Sequence, residues 1–385
     1  MKILMGSILN MDVDMNGVVI TAKEQQALLN HENHMASLIT PYTYPRNTVL
    51  FTLLRWSSTA FTRTGYSIFT LLNLAIKGFI LAHQTYKLRR YYEVFHAHDL
   101  ISAMVFLLLA RGSDITLLNA HFYQEPWEEF VDGGYIKPRG MSYCILKFLF
   151  LKTLNSLNLR LMPVSKRNSG LLDDMVHPKQ NASVVLYPGI ESTLLSDSRC
   201  IDPPYLINVG SLDSRKNQVW LIDILAELER LGSFCPLVLV GPEDAREKIR
   251  VLDRMNELKI KSPVHFLGQK NSLETRGLIQ SALLYIHAAR NESFGRTLVE
   301  AMSTKTTVVA CEYKAVHEIL DDAAILKSHW TLTQTAAYVK TLIDDKSLRR
   351  DIQESQHKKY LQTFTGKQMI STYTNTLEGF WRLSK

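Results

Sequence analysis

The chain has little of what a disulfide framework or a metal centre needs. Its four cysteines, Cys144, Cys200, Cys235 and Cys311, lie far apart, with no C-x-x-C pair and no His/Cys cluster. Neither a disulfide scaffold nor a zinc site is indicated. No uninterrupted apolar run approaches the roughly 18–20 residues of a membrane span. The opening residues, Met1 to Asn10, carry one charged side chain and about a strand's length of apolar residues. They lack the longer apolar region and small-residue cleavage site of a signal peptide, so a soluble, cytoplasmic protein is expected. There is no G-x-G-x-x-G, which counts against a dinucleotide dehydrogenase. Nor is there a Walker A loop, because Arg215 and Asn217 stand beside Lys216 where Gly and Ser/Thr would be required.

Acid is missing in two long stretches of the first half. Residues 33–92 hold no Asp or Glu but seven cations: Arg46, Arg55, Arg63, Lys77, Lys87, Arg89 and Arg90. Residues 133–172 repeat this with Lys137, Arg139, Lys147, Lys152, Arg160, Lys166 and Arg167. Two readings stay open within the net charge of +7. The surface is basic but idle, offsetting acidic patches elsewhere, or it meets an anionic partner such as a membrane surface or a lipid-phosphate acceptor. Nucleic acid is not expected, since no DNA- or RNA-binding motif accompanies the charge.

What is present is alternation. At 385 residues and 46% apolar content the chain exceeds one ordinary core, so two domains are expected. Short apolar runs alternate with amphipathic stretches, the pattern of parallel sheets with helical crossovers. Strands are expected at Lys2–Ile8, Met35–Ile39, Val94–His98, Ile115–Asn119, Leu161–Val164 and Ser183–Leu186. Helices are expected at Thr21–Asn30, Tyr66–Lys87 and Met141–Leu159. The second of these is apolar nearly all round, which suits a buried crossover helix or one that also touches a membrane or partner. After Tyr187-Pro188-Gly189 the period is lost. The expected division is a domain over 1–189, a linker over 190–204, a second α/β domain over 205–366 and a final helix over 367–385.

The most informative stretch lies in the second domain. The apolar run Leu284–His287 ends in a polar elbow, Ala289 to Asn291, and Thr297, Leu298, Val299, Ala301 and Met302 continue as a helix with Ser293 as its expected N-cap. Such an elbow offers backbone N–H groups and the positive end of a helix dipole to a phosphate. Glu292 and Glu300 bracket it. Like charge beside a phosphate is costly, so these carboxylates are read as partners of hydroxyl groups. A ligand with a diphosphate centre and hydroxyls at both ends, such as a nucleotide-sugar, fits. Each Glu taken alone has a plainer reading, as a dipole partner or a solvated side chain. Earlier, Asn208-Val209-Gly210 ends a strand and leads through Ser211 to Arg215 and Lys216 just before a helix. There the Gly lets a ligand approach backbone and the cations can neutralise a diphosphate. Gly241 and Gly268 follow two further strands, and strand ends are where open α/β sheets bind ligands.

The string from Glu292 to Glu300 resembles the E-x7-E signature of retaining glycosyltransferases of family 4, the glycosyltransferases group 1 domain. The resemblance is nearly continuous from Pro188 to Leu326 and patchy before it. It implies the GT-B fold: two Rossmann-like, doubly wound α/β domains facing across a cleft, with the final helix crossing back to the first. It further implies that Glu292 lies by the donor hexose and Glu300 binds the ribose hydroxyls. Lys216 would grip the diphosphate, and Gly17, Gly210, Gly268, Ser293, Phe294, Gly295, Arg296 and Thr297 would line the donor. His121, in Asn119-Ala120-His121-Phe122, matches the family's sugar-facing histidine; a satisfied core histidine is the alternative, and His98 is a second candidate. The family's usual Arg after the first Gly is Ser211 here, a departure that Arg215 can offset.

The activity implied is retaining, metal-independent transfer of a hexose-type sugar from a nucleotide-diphosphate sugar to a saccharide, lipid-linked or other hydroxyl acceptor. No cofactor is expected. The only Asp-x-Asp, Asp12-Val13-Asp14, falls in the first domain, away from the expected donor site. Two alternatives stay open: a non-catalytic GT-B subunit that stabilises a partner enzyme, and a sugar-nucleotide epimerase.

Overall fold

The computed structural model describes all residues except 12–16, 46–47, 56–66, 113, 178–182, 193–203 and 384–385. The Asp12-Val13-Asp14 segment and most of the expected linker therefore lie outside the described residues. The chain forms two units, Met1–Gly189 with Gly366–Lys385, and Ile190–Thr365.

The first unit is built on five parallel strands: β1 (Lys2–Gly6), β2 (Met35–Ile39), β3 (Val94–Ala97), β4 (Ile115–Ala120) and β5 (Leu159–Pro163), in the order β2-β1-β3-β4-β5. Its central strands are buried on both faces, as crossover helices on both sides require. Alternate side chains go to opposite layers. Leu4, Phe95, Leu118 and Leu161 pack under α2 (Ser67–Leu88), α3 (Leu100–Leu109) and α5 (Met141–Leu154). Ile3, Met5, Leu117 and Met162 pack with Leu29 of α1 (Gly17–His31) and with Met369, Tyr373 and Leu377 of α14 (Gly366–Leu383). Short helices α4 (Pro126–Asp132) and α6 (Lys166–Asp173) complete the unit.

Several expected bounds shift, each for a local reason. The helix expected over Met141–Leu159 stops at Leu154, because the Asn155 side chain donates to Leu151 O at 2.8 Å and Leu159 already belongs to β5. Ser183–Leu186 is not a strand. It runs beside β5 and only donates to it, from Val184 N–H to Leu161 O (3.2 Å) and from Leu186 N–H to Pro163 O (2.8 Å). Helix α2 is by length and composition sufficient to cross a membrane, yet it buries Leu74, Ile80 and Leu81, so one face of it is core.

The second unit has six parallel strands: β6 (Leu206–Val209), β7 (Leu237–Val240), β8 (Val264–Phe266), β9 (Leu284–His287), β10 (Val308–Cys311) and β11 (Ile325–Leu326). Their order is β11-β10-β9-β6-β7-β8. The crossovers are α7 (Gln218–Arg230), α8 (Ala245–Leu258), α9 (Ser272–Ser281), α10 (Arg296–Ser303) and α11 (Val316–Ile319), followed by α12 (Leu332–Asp344) and α13 (Lys346–Thr363). Helix starts follow side-chain caps: Asp244 accepts from Arg246 and Glu247 N–H, and Asn271 and Glu274 form a capping box. Ile190 is fully buried here: its N–H donates to Phe364 O at 2.9 Å and its carbonyl accepts from Tyr360 Oη at 2.8 Å.

Candidate functional site

In the second sheet the strand order reverses between β6 and β9, which are hydrogen-bonded neighbours. Loops leaving the carboxyl ends of such a strand pair diverge, and the opening between them is where an open α/β sheet takes a ligand. The β6 loop carries Gly210, Ser211, Arg215 and Lys216; the β9 loop carries Glu292 and leads into α10.

These loops meet through charge. Lys216 Nζ donates to Glu292 Oε1, and both side chains are largely buried. The Lys216 stem lies over Gly210, where an added Cβ would sit 3.4 Å from its Cδ. Asp213 fixes the turn by accepting from Lys216 N–H at 3.1 Å and from the Ser211 hydroxyl. Asn217 then enters α7 with φ 57°, its amide donating to Ala288 O at 3.3 Å. Arg215 reaches Asp213 at 3.6 Å. Burial alone would raise the Glu292 pKa, but Lys216, then His287, with Arg215 adding its charge, hold that carboxyl below its ordinary value. The site thus keeps an ionised carboxylate in a place with little water.

Arg296 Nε donates to Glu300 Oε1 at 2.9 Å along α10, again with little exposure of either side chain. Each carboxylate of the motif therefore has its own cation. The sequence points to Lys216 as the partner of a diphosphate; its pairing with Glu292 appears only in the fold. Ser293 is not the cap of the helix. Gly295 takes that position at φ 107°, with no side-chain hydrogen bond, and α10 begins at Arg296. A Cβ on Gly295 would come within 2.5 Å of the Tyr313 hydroxyl oxygen, so both space and backbone angle call for glycine. Phe294 is buried and packs edge-on against Phe364, while Tyr285, beside Thr297, donates from Oη to Val209 O at 3.2 Å. Phe294, a residue of the expected donor site, is thus also part of the core.

Gly241 has φ 148°, and a Cβ there would lie 2.0 Å from Gly210 O. Its N–H donates to Gly268 O at 2.9 Å, and Gly268 itself has φ 63°. The three strand-end glycines thus support each other's backbone. One residue was missed: His287, the last of β9, is buried with Nε2 3.7 Å from Glu292 Oε1. Burial pushes its pKa down to about 4, the Glu292 charge offsetting that only in part. The signal was available, because it is a histidine ending a strand, as His98 and His121 were noted to be.

The first unit has its own order reversal, between β1 and β3. Gly17 opens α1 after β1. At the ends of β3 and β4 stand His98 and His121. His96 stacks on His98 (ring centroids 4.7 Å apart) and on Tyr373, and its Nδ1 lies 3.0 Å from the Tyr373 Oη. The Asn119 amide donates to Met162 O at 2.8 Å, which turns its Oδ1 towards His121 Nε2, also at 2.8 Å. With Asn119 Oδ1 as the acceptor, His121 Nε2 is the donor of this contact. Among the described residues no group of three or more His, Cys, Asp or Glu is placed to hold a metal.

Residues 199–359 match the family model Glycosyl transferases group 1, so the second unit carries a glycosyltransferases group 1 domain. The two parallel sheets match solved GT-B glycosyltransferases. HepE of Anabaena, in complex with UDP, superposes with a TM-score of 0.70 at 16% identity, over 98% of this chain and 100% of that one. Sucrose-phosphate synthase of Thermosynechococcus elongatus gives 0.72 at 15% identity, over 99% of each. At these identities the likeness shows the GT-B fold. Among curated proteins, the alpha-D-kanosaminyltransferase of Streptomyces kanamyceticus is 25% identical over 178 residues, 45% of this chain and 46% of the relative. The sucrose synthase of Nitrosomonas europaea is 26% identical over 161 residues, 36% of this chain and 20% of the relative. The chain spans less than half the length of the curated relatives it matches.

Proposed function

We propose that the protein is a retaining, metal-independent glycosyltransferase of family 4 that moves a hexose-type sugar from a nucleotide-diphosphate sugar to a hydroxyl acceptor. The observation that carries this reading is the Lys216–Glu292 pair at the order reversal of the second sheet, with Glu300 on the helix that follows. HepE has been solved with UDP and with UDP-glucose, which makes UDP-sugars the first donors to test. In the proposed reaction the bond from the sugar C1 to the diphosphate oxygen breaks, and that electron pair leaves with the diphosphate. Lys216 and the first N–H groups of α10 stabilise the leaving charge, a fixed electrostatic contribution that needs little reorganisation. The acceptor hydroxyl bonds to C1, and its proton passes to the departing phosphate oxygen. Glu292 holds hexose hydroxyls and Glu300 the ribose. For His121 the resemblance implies a sugar-facing role.

Ser211, standing where the family has Arg, supports a second reading as a non-catalytic subunit. Two measurements separate them. Titration with UDP and other nucleoside diphosphates should show binding for a transferase and none for a subunit that has lost the donor. Donor-sugar hydrolysis across UDP-, GDP-, ADP- and dTDP-sugars should then reveal turnover, undiminished by EDTA. Loss on chelation with recovery on manganese would overturn the metal-independent reading.

A further inference from the structure

Helices α2, α3 and α5 lie in one layer over one face of the first sheet. Their outward sides are unusually apolar. On α2, Ile68, Leu72 and Phe79 fall on one stripe at helical spacing and are 63%, 42% and 63% exposed. On α5, Ile145 and Phe148 do the same at 39% and 63%, and Leu108 of α3 is 81% exposed. An amphipathic helix covering a sheet normally turns polar side chains outward; α2 and α5 instead carry apolar stripes on both sides. Cations border this surface. Lys87 and Arg90 are exposed at the end of α2, Arg89 lies 4.4 Å over the Tyr86 ring, and Lys152 ends the exposed stripe of α5. The helices themselves hold no acid. Next along the chain come exposed Glu93 after α2 and exposed Asp132 at the end of α4, while on α4 Glu128 accepts from Tyr143 Oη at 2.5 Å and Glu129 from Tyr123 N–H at 2.7 Å.

We infer that this outer face of α2, α3 and α5 docks on a bilayer surface containing anionic phospholipid, with the phenyl and aliphatic side chains at the acyl boundary and the flanking Lys and Arg among the headgroups. Charge complementarity selects the occupant: α2 and α5 carry lysines and no acid beside their apolar stripes, which an anionic headgroup layer matches and an apolar protein partner would not require. One stripe of α2 is core, which makes this a surface contact rather than a span.

The experiment is co-sedimentation of the full chain with vesicles of phosphatidylcholine alone and of phosphatidylcholine with phosphatidylglycerol. The protein should pellet with the anionic vesicles at about 0.05 M salt and be released at about 0.5 M, as screening shortens the reach of the cations. The double variant Phe79→Glu/Phe148→Glu should partition at least about tenfold more weakly, from the lost transfer of two phenyl rings. Both sites are exposed, so far-ultraviolet circular dichroism and any nucleotide binding by the second unit should match the parent, which keeps failure here distinct from failure of the transferase reading. Equal binding to both vesicle types, absence of binding, or an unchanged double variant would overturn the inference. So would a dimer in solution that the same variant dissociates, because the face would then be covered by a second copy.

Discussion

The two motif carboxylates sit in different electrostatic settings, which separates what their removal should do. Glu292 is held ionised by Lys216 and, more weakly, by His287 and Arg215. Glu292→Gln removes that charge and releases Lys216 for the diphosphate. The expected outcome is a turnover about a hundredfold lower with nucleotide affinity kept or tightened, because what is lost is an electrostatic interaction with the reacting sugar. Among the described residues Glu300 pairs along its own helix, with Arg296. On the proposed reading Glu300→Ala should cost a pair of ribose hydrogen bonds, about 1–3 kcal/mol, or roughly 5- to 150-fold in nucleotide affinity. Calorimetric titration with UDP and steady-state donor hydrolysis on both variants give the comparison. If the two substitutions had the same effect on binding and turnover, the division of roles between these residues would be wrong.

At the scale of elements, the ends of β6, β7 and β8 form a backbone cluster that tolerates no side chain at its centre. Gly241→Ala would put a methyl group 2.0 Å from Gly210 O at a φ of 148°, and should destabilise the second unit by about 3 kcal/mol or more. Urea unfolding would check this; a loss under about 1 kcal/mol would mean that the loop relaxes freely. The same cluster marks where sequence stops being informative. The start of helix α8 is of the kind letters can show, since its Asp244 cap uses side-chain chemistry. The start of α10 was misplaced because a serine at 293 has the right chemistry for a cap, while the actual terminator is a positive φ at Gly295. Helix α3, with ten residues running LISAMVFLLL, shows no polar face and so no period, and its cap Asp99 was the only local signal. The Lys216–Glu292 contact joins residues 76 apart in the chain and depends on β6 lying beside β9. Strand order is a property of the sheet, and no local pattern in this chain encodes it.

At the scale of the whole molecule, each unit buries histidine in its core, and this gives the fold a common sensitivity to acid. Burial pushes His96 down to about 3, with His121 adding to the shift, and pushes His98 well below its ordinary value. In the second unit it brings His287 to about 4, despite the opposing charge of Glu292. Among the described residues the ring nitrogens of His98 and His287 have no hydrogen-bond partner, and at His287 the Glu292 charge 3.7 Å away offsets the cost of burying a protonated ring only in part. The sign follows from proton uptake. A histidine with its folded pKa below the unfolded value of 6.5 binds its proton first in the unfolded chain, so stability is fully present above that value. It is lost as pH falls from 6.5 towards the folded pKa. The lowered carboxyl of Glu292 acts in the same direction further down, and Asp99, raised by burial, opposes it there. For His96 and His287 each, the loss between about pH 7 and about pH 5 should be roughly 2 kcal/mol. His96→Leu and His287→Leu provide the check through urea unfolding at both pH values. Each variant should start from its own baseline stability but lose about 2 kcal/mol less than the parent on acidification. A variant whose loss on acidification equals that of the parent would show that its histidine does not carry the acid sensitivity.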